Sequence, residues 1–462
     1  MAKNEAQMDL TQGPIARKLL LFSLPVLYGN VLQSLNGTVN SIWVGKFLGE
    51  SAFAATSNAN NVMFLMLSSI FGIGMASTIM IGQSIGAGDT AQAKRVVGAS
   101  ALFFFTLSLV VGLLGVLLSP QILQWMHTPA DAMDMANAYL RIIFMSMPFM
   151  FCYNMIMTIL RGAGDSKTPF RFLVLSIILD IALNPLLIFG WGPIPALGIS
   201  GSALATGISQ LVALAAILWS LYRKKYFLRI TREDRHLLRF DGAIIGSLVK
   251  KGVPMGLQMI VVSTSSLAMI NLVNRFGSEA TAAYGAAIQL SSYIQMPAMA
   301  IGGAVSSFAA QNVGAGRWDR VHRVTGVGVM YNVLMTGVLV CLIYLFNRSA
   351  LSLFLPEGQA IEIGMRINLL TLWSFIIFGI TFVVSGVVRS TGAVMFPLLI
   401  TFLALWCVRI PLSYYLADSY GLDAVWWSFP VGFTLGSLLS VAYYFWGNWK
   451  KASMLAGGVQ KA

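Results

Sequence analysis

Asp180 is the residue in this sequence with the most chemistry open to it. The chain has 17 Asp and Glu residues, and sixteen of them fall in tails, loops or the ends of apolar runs. Asp180 alone lies near the centre of one, Thr168–Gly190. An ionised side chain at that depth in a membrane costs about 2.5–3.5 kcal/mol on insertion scales, so it persists by pairing, by protonation or by holding a cation. No Lys or Arg lies at similar depth on a neighbouring run of the first half. Asn184 follows one helical turn later and shares the Asp180 face. Pro185 has no N–H to give the carbonyl of Ile181, which leaves an oxygen free for a cation, a water or a side chain. One carboxylate with neutral oxygens beside it suits Na⁺, and the same carboxylate could take up a proton. The residues leave these two open.

Other polar groups sit inside apolar runs. Asn30, Gln33, Asn36, Gly37, Asn40 and Ser41 form one stripe about three helical turns long. Asn154, Thr206, Ser209 and Gln210 lie on later runs of the first half. The second half offers Gln258, Ser263 to Ser266, Gln289 and Gln295, all neutral. Interhelical hydrogen bonds use such residues routinely, so each alone is as readily glue as site. Gln33, Asn36, Gln258 and Gln289 are the candidates for contact with a transported solute. Arg409, two residues before Pro411, is placed either to snorkel or to bond a freed carbonyl such as that of Cys407.

The elements that must position these groups are membrane helices. Hydrophobic residues make up 57% of the 462 and charged residues 10%, against about 25% charged in soluble domains. Twelve runs reach the roughly 20 residues that span a bilayer: Leu19–Val44, Ala52–Met80, Val96–Leu118, Leu140–Leu160, Thr168–Gly190 and Leu197–Leu221, then Ile245–Val273, Ala280–Phe308, Val324–Phe346, Ile367–Val387, Phe396–Leu416 and Ala424–Trp446. They lack the alternation of barrel strands. The segment before Gly13 is polar, and no cleavable signal peptide is expected. Cys152, Cys341 and Cys407 fall inside helices and make no disulfide set. The histidines His127, His236 and His322 form no metal cluster.

The net charge is +13, and its distribution points to a membrane rather than to nucleic acid. Of 30 Lys and Arg, five (Lys46, Arg141, Arg275, Arg348, Arg366) fall on one side and Arg409 falls within a span, leaving 24 for the other side. That asymmetry predicts a cytoplasmic membrane protein with both termini cytoplasmic. The basic stretch Arg223–Arg239 links the halves and serves orientation first, with contact to anionic headgroups as a second use.

The chain also repeats at an offset of 228. GQSIGAGDTAQAKRVV from Gly82 matches AQNVGAGRWDRVHRVT from Ala310, Arg161 and Pro169 match Arg389 and Pro397, and Pro25 matches Pro254 with a one-residue slip. Six helices per half is an even number, so the two repeats enter from the same side and are parallel. The expected division is a tail over 1–17, an N-lobe over 18–222, a basic linker over 223–244, a C-lobe over 245–447 and a tail over 448–462.

NSIWVGKFLG from Asn40, GQSIGAGD from Gly82, LRGAGDSKTP from Leu160, LNPLLIFG from Leu183, GISGSALATGISQ from Gly198 and AAQNVGAG from Ala309 together resemble the multidrug and toxic compound extrusion (MATE) family, over about residues 14–447. The resemblance implies two six-helix lobes in a V. It also implies an antiporter that expels organic, often cationic or amphipathic compounds in exchange for H⁺ or Na⁺, with no other cofactor and no obligate protein partner. Members carry an Asp in a Val-Asp-Thr-like motif of the first helix, where this chain has Val39-Asn40-Ser41. They carry an Asp before the proline of the fifth helix, where this chain has Asn184, and an Asn one turn earlier, where it has Asp180. Acid and amide are thus exchanged within one turn. The resemblance implies coupling at Asp180 with Asn40, Asn154, Asn184 and Thr206 as helpers, and a Na⁺ would sit at Asp180, Asn184 and Thr206. The acids of another subgroup, on the seventh and tenth helices, are replaced near Val262 and Phe378.

Three other classes compete. A lipid-linked sugar flippase of the wider superfamily would line its cavity with cations, and here deep cations are nearly absent apart from Arg409. Gly162-Ala163-Gly164-Asp165 and Gly198-Ile199-Ser200-Gly201 match short protease patterns, but Asp165 lies in a loop and Ser200 has no histidine to act as its base, so no enzyme is expected. A channel would need a ring of polar residues around Asp180.

Overall fold

The computed structural model describes residues 8–454 except Ile194 and Glu357, and the side chains of all these but Leu65 and Ser69. The outer parts of both tails, 1–7 and 455–462, lie outside the described residues. Helices make up nearly all of it. The first half has α1 (Ile15–Leu48), α2 (Glu50–Gly86), α3 (Thr90–Trp125), α4 (Ala130–Gly162), α5 (Lys167–Phe189) and α6 (Ile199–Arg223). The second has α7 (Gly242–Val273), α8 (Ser278–Gly314), α9 (Trp318–Leu345), the short α10 (Asn347–Ser352), α11 (Gln359–Thr371) and α12 (Ser374–Arg389). It continues with α13 (Met395–Phe402), a π-helical segment Leu403–Arg409, α14 (Ile410–Tyr420), the short α15 (Leu422–Val425) and α16 (Ser428–Trp446).

Among the described residues, ten helical stretches are long and apolar enough to cross a membrane, and α11 with α12 forms one more span bent by 47°. The remaining pass is α8. Its 37 residues are ample in length, but Gln289, Ser291, Ser292 and Gln295 interrupt its apolar run. The two six-pass repeats are therefore present as all-helical spans; the runs read from the sequence fall on these passes, overrunning some helix ends by one or two residues and crossing the breaks between α11 and α12 and between α15 and α16.

Pro25, Pro185, Pro254 and Pro297 all lie inside continuous helices. The break between α11 and α12 has another cause. In a regular helix the Trp373 N–H would bond the Leu369 carbonyl. Here the Tyr344 hydroxyl is inserted between them: it accepts from Trp373 N at 3.2 Å and donates to Leu369 O at 3.1 Å. A side chain wedged into the ladder is a recognised origin of a sharp kink.

The repeat extends to backbone conformation. Gly88 and Gly316 take φ of 75° and 70°, and Gly164 and Gly392 take 88° and 102°. Each pair is 228 residues apart and ends a long helix in the left-handed region that favours glycine.

Two compact units account for the chain. One holds Met8 and Tyr28–Gly252, the other Asp9–Leu27 and Val253 onward. The first turns of α1 thus belong to the second unit and those of α7 to the first, and the changeovers fall within three residues of Pro25 and Pro254. In the second unit Phe22 meets Phe308 edge-on at 5.8 Å, and Asn312 donates to the Leu10 carbonyl at 3.1 Å. In the first unit the linker is held down. Tyr226 and Leu228 are buried, and Lys94 Nζ meets Asp234 Oδ2 at 2.7 Å. Arg95 Nη2 lies 2.6 Å from Asp241 Oδ2.

Candidate functional site

The site is built from three helices of the first unit. α5 brings Asp180 and, one turn on, Asn184. α1 brings Asn36 and Asn40, also one turn apart and so on one face. α6 brings Thr206. Close packing makes the third approach possible: a Cβ on Gly201 would stand 2.4 Å from the Leu187 carbonyl oxygen. Only glycine lets α6 lie that near α5, and Thr206 follows about a turn and a half later.

Asp180 is 3% exposed and Asn184 is fully buried. Asn36 Nδ2 and Asn40 Nδ2 each donate to Asp180 Oδ2 at 2.8 Å. Thr206 Oγ1 donates to Oδ1 at 3.1 Å. Asn184 Nδ2 is shared among the Asp180 carbonyl at 2.9 Å, Asp180 Oδ1 at 3.3 Å and Asn40 Oδ1 at 3.1 Å. No Lys, Arg or His forms an ion pair with Asp180 among the described residues. Neutral donors alone therefore stabilise the carboxylate, where a charge-assisted hydrogen bond is worth about 1.5–3 kcal/mol.

Asp180 stands in the wall of a cavity of about 160 Å³. Asn36, Asn40, Tyr139, Ser202 and Thr206 line it as well, with Asn60 and Met63 of α2. Two oxygens near the carboxylate, Asn36 Oδ1 and Asn184 Oδ1, are buried without a hydrogen-bond partner among the described residues. Rotating either amide would exchange its nitrogen for that oxygen. The same side chains can therefore donate to a bare carboxylate or coordinate a cation beside it, so the donor set fits Na⁺. No cluster of three His, Cys, Asp or Glu exists among the described residues, which leaves a transition-metal centre without ligands there.

Sequence reasoning grouped these residues differently. Asp180, Asn184, Asn40 and Thr206 come together as expected for one site. Asn36, set down as a solute contact, is bonded to the carboxylate itself. Asn154 makes no bond to the carboxylate among the described residues: its amide donates to Met150 O of its own helix at 2.8 Å. Gln33 is exposed. In the second unit Gln258 donates to Thr401 Oγ1 at 2.8 Å and accepts from Arg389 at 2.7 Å, and Gln289 donates to Tyr293 at 3.2 Å. Tyr139 and Ser202 were not singled out, because one aromatic or hydroxyl on an apolar helix carries no periodic signal. Arg409 neither snorkels nor reaches the Cys407 carbonyl. It is 4% exposed and donates to Ser265 Oγ at 2.8 Å.

A doubled bundle of membrane-length helices with a buried carboxylate on a cavity wall is a polytopic membrane protein. The MatE family model matches residues 25–186 and 254–415, one copy per half, and the chain belongs to this family of membrane transporters. Probable multidrug resistance protein YoeA of Bacillus subtilis (strain 168) is 41% identical over 437 residues, covering 94% of each chain. Probable multidrug resistance protein YpnP of the same organism is 32% identical, covering 96% of this chain and 97% of its own. Among solved structures, the outward-facing conformation of a multidrug resistance MATE family transporter superposes with a TM-score of 0.88 at 20% identity, over 96% of this chain and 98% of that one. At that identity the likeness speaks for the fold.

Proposed function

We propose that this protein is a secondary antiporter of a bacterial cytoplasmic membrane, with both termini cytoplasmic, and that it exports organic cationic or amphipathic compounds as H⁺ or Na⁺ enters at Asp180. The single observation that carries the reading is the buried, cavity-lining carboxylate held only by neutral donors. Without a cationic partner, it is free to take up a proton or a metal cation. The relatives named for multidrug resistance support the substrate class.

The chemistry follows from the hydrogen bonds. While Asp180 is ionised, Asn36 and Asn40 of α1 and Thr206 of α6 all donate to it, so its charge ties three helices together. Uptake of H⁺ or Na⁺ removes the charge these donors serve, and the amides can turn their oxygens inward. A ligand shifts a conformational equilibrium only by the difference of its affinities for the two states. The ion and the organic cation then compete for one negative charge, which is the requirement for exchange.

Efflux of a fluorescent organic cation from proteoliposomes, driven by an imposed pH or Na⁺ gradient, tests this. The wild type should respond to one gradient, and Asp180→Asn should lose the response. Equal export by Asp180→Asn under either gradient would sink the assignment.

A further inference from the structure

The two matched segments of the family, 25–186 and 254–415, are offset by 229 residues. At that offset Asn36 falls on Ser265, in register with Pro25 and Pro254, and Asp180 falls on Arg409, one residue beyond the 228 that relates Pro169 to Pro397, because the π-helical segment Leu403–Arg409 between them takes up one extra residue. The two pairs are in fact bonded alike. Asn36 donates to Asp180 at 2.8 Å, and Arg409 donates to Ser265 at 2.8 Å, each across a separation of 144 residues. Both bonds join the first helix of a repeat to its fifth pass, and the sixth pass closes each site: Thr206 of α6 on Asp180, and Phe429 and Phe433 of α16 on Arg409. The second unit therefore contains the counterpart of the Asp180 site with its polarity inverted.

The inversion extends to the unpartnered groups. Beside Asp180 the buried atoms in excess are acceptors, Asn36 Oδ1 and Asn184 Oδ1. Around Arg409 they are donors. Among the described residues, Arg409 Nε and the Nε1 of Trp426, which packs in one cluster with Phe429 and Phe433, are buried with no acceptor, and Ser265 Oγ accepts its bond from Arg409 without donating one. No carboxylate pairs with Arg409 among the described residues. The guanidinium carbon lies 4.5 Å from the Phe429 ring centre and 5.7 Å from that of Phe433. Tyr284, stacked on Trp426 at 5.4 Å, belongs to the same buried cluster. Ring faces stabilise a cation from one side, but they accept no N–H in the plane of the fork. Arg409 also ends the π-helical segment Leu403–Arg409, the kind of helix irregularity that recurs at functional sites.

We propose that the second unit carries an anion site at Arg409 and Ser265, for a small monovalent anion: a halide, or the carboxylate of a transported solute. Such an anion supplies the acceptor that Arg409 Nε lacks and takes the free Ser265 hydroxyl proton as a second bond. The two repeats then bind charges of opposite sign at equivalent positions.

The full chain, purified in detergent, is melted at constant sodium and ionic strength while methanesulfonate is replaced by chloride or by acetate. The midpoint should rise saturably in the wild type and in Asp180→Asn, and should not respond in Arg409→Gln. Ser265→Ala, which loses one bond to the anion, should need about tenfold more anion for half the effect. A rise with chloride alone assigns a halide, and a rise with acetate assigns a carboxylate. An equal rise in Arg409→Gln, or none in the wild type, overturns the proposal. If Arg409→Gln does not fold, an unchanged half-saturation in Ser265→Ala overturns it instead. Because Asp180→Asn keeps the response, failure of the cation reading and failure of this one remain distinguishable.

Discussion

The carboxylate of Asp180 gathers its neighbours unequally, and mutation should reveal the ranking. Asn36 gives a full bond to Oδ2, so Asn36→Ala should raise the ion concentration for half-maximal efflux about tenfold, one charge-assisted bond's worth. Asn154 bonds its own helix backbone, so Asn154→Ala should shift the same quantity less than twofold, within the few tenths of a kcal/mol expected of a site with no shared partner. Proteoliposome efflux at graded Na⁺ or pH reads both. A larger effect at Asn154 than at Asn36 would mean that the cavity geometry is not that of the working site.

Among the helices, two contacts decide how the site and the bends are made. The Gly201 approach to Leu187 leaves no room for a methyl group, so Gly201→Ala should destabilise the protein by about 1–3 kcal/mol and weaken ion-driven efflux with it. Gly246→Ala is the control, because a Cβ there meets nothing within 4 Å. It should leave the melting midpoint equal or slightly raised, as alanine is the better helix former. Tyr344→Phe removes the hydroxyl from between Trp373 and Leu369. The freed N–H and carbonyl can then bond directly, and a structure of the variant should show a bend smaller than 47°.

At the scale of the whole chain, the linker between the repeats is tied down rather than free. Lys94 Nζ donates to Asp234 Oδ2 at 2.7 Å, and Thr231 N and Oγ1 donate at 3.1 and 2.8 Å. These bonds, that of Lys94 first, lower the Asp234 carboxyl to about 2. A carboxyl whose folded value lies below its unfolded one stabilises the fold above the unfolded value, and that contribution fades as pH falls toward the folded one. The difference in melting midpoint between wild type and Asp234→Asn should thus be constant above pH ~4 and shrink between ~4 and ~2. A difference that instead grows on acidification would contradict the geometry.

Much of this protein is written in local sequence. Long apolar runs become helices because a bilayer-spanning segment must satisfy its own backbone, and the repeated Gly-Ala-Gly and Arg-to-Pro spacings expose the doubling. Asp180 stands out for the cost of a charge in an apolar span, and Asn184 follows from helical spacing. Tertiary structure alone decided the rest. Asn36 and Asn40 lie more than a hundred residues from Asp180, and the rotation of α1 about its axis, which packing sets, determines that both amides reach the carboxylate. The kink at Trp373 needed a hydroxyl from another helix, which no pattern within α11 or α12 records. The pairing of Arg409 with Ser265 was hidden for the same reason. Sequence gives the period and the depth of a polar group, but only the packed helices decide which polar group it meets.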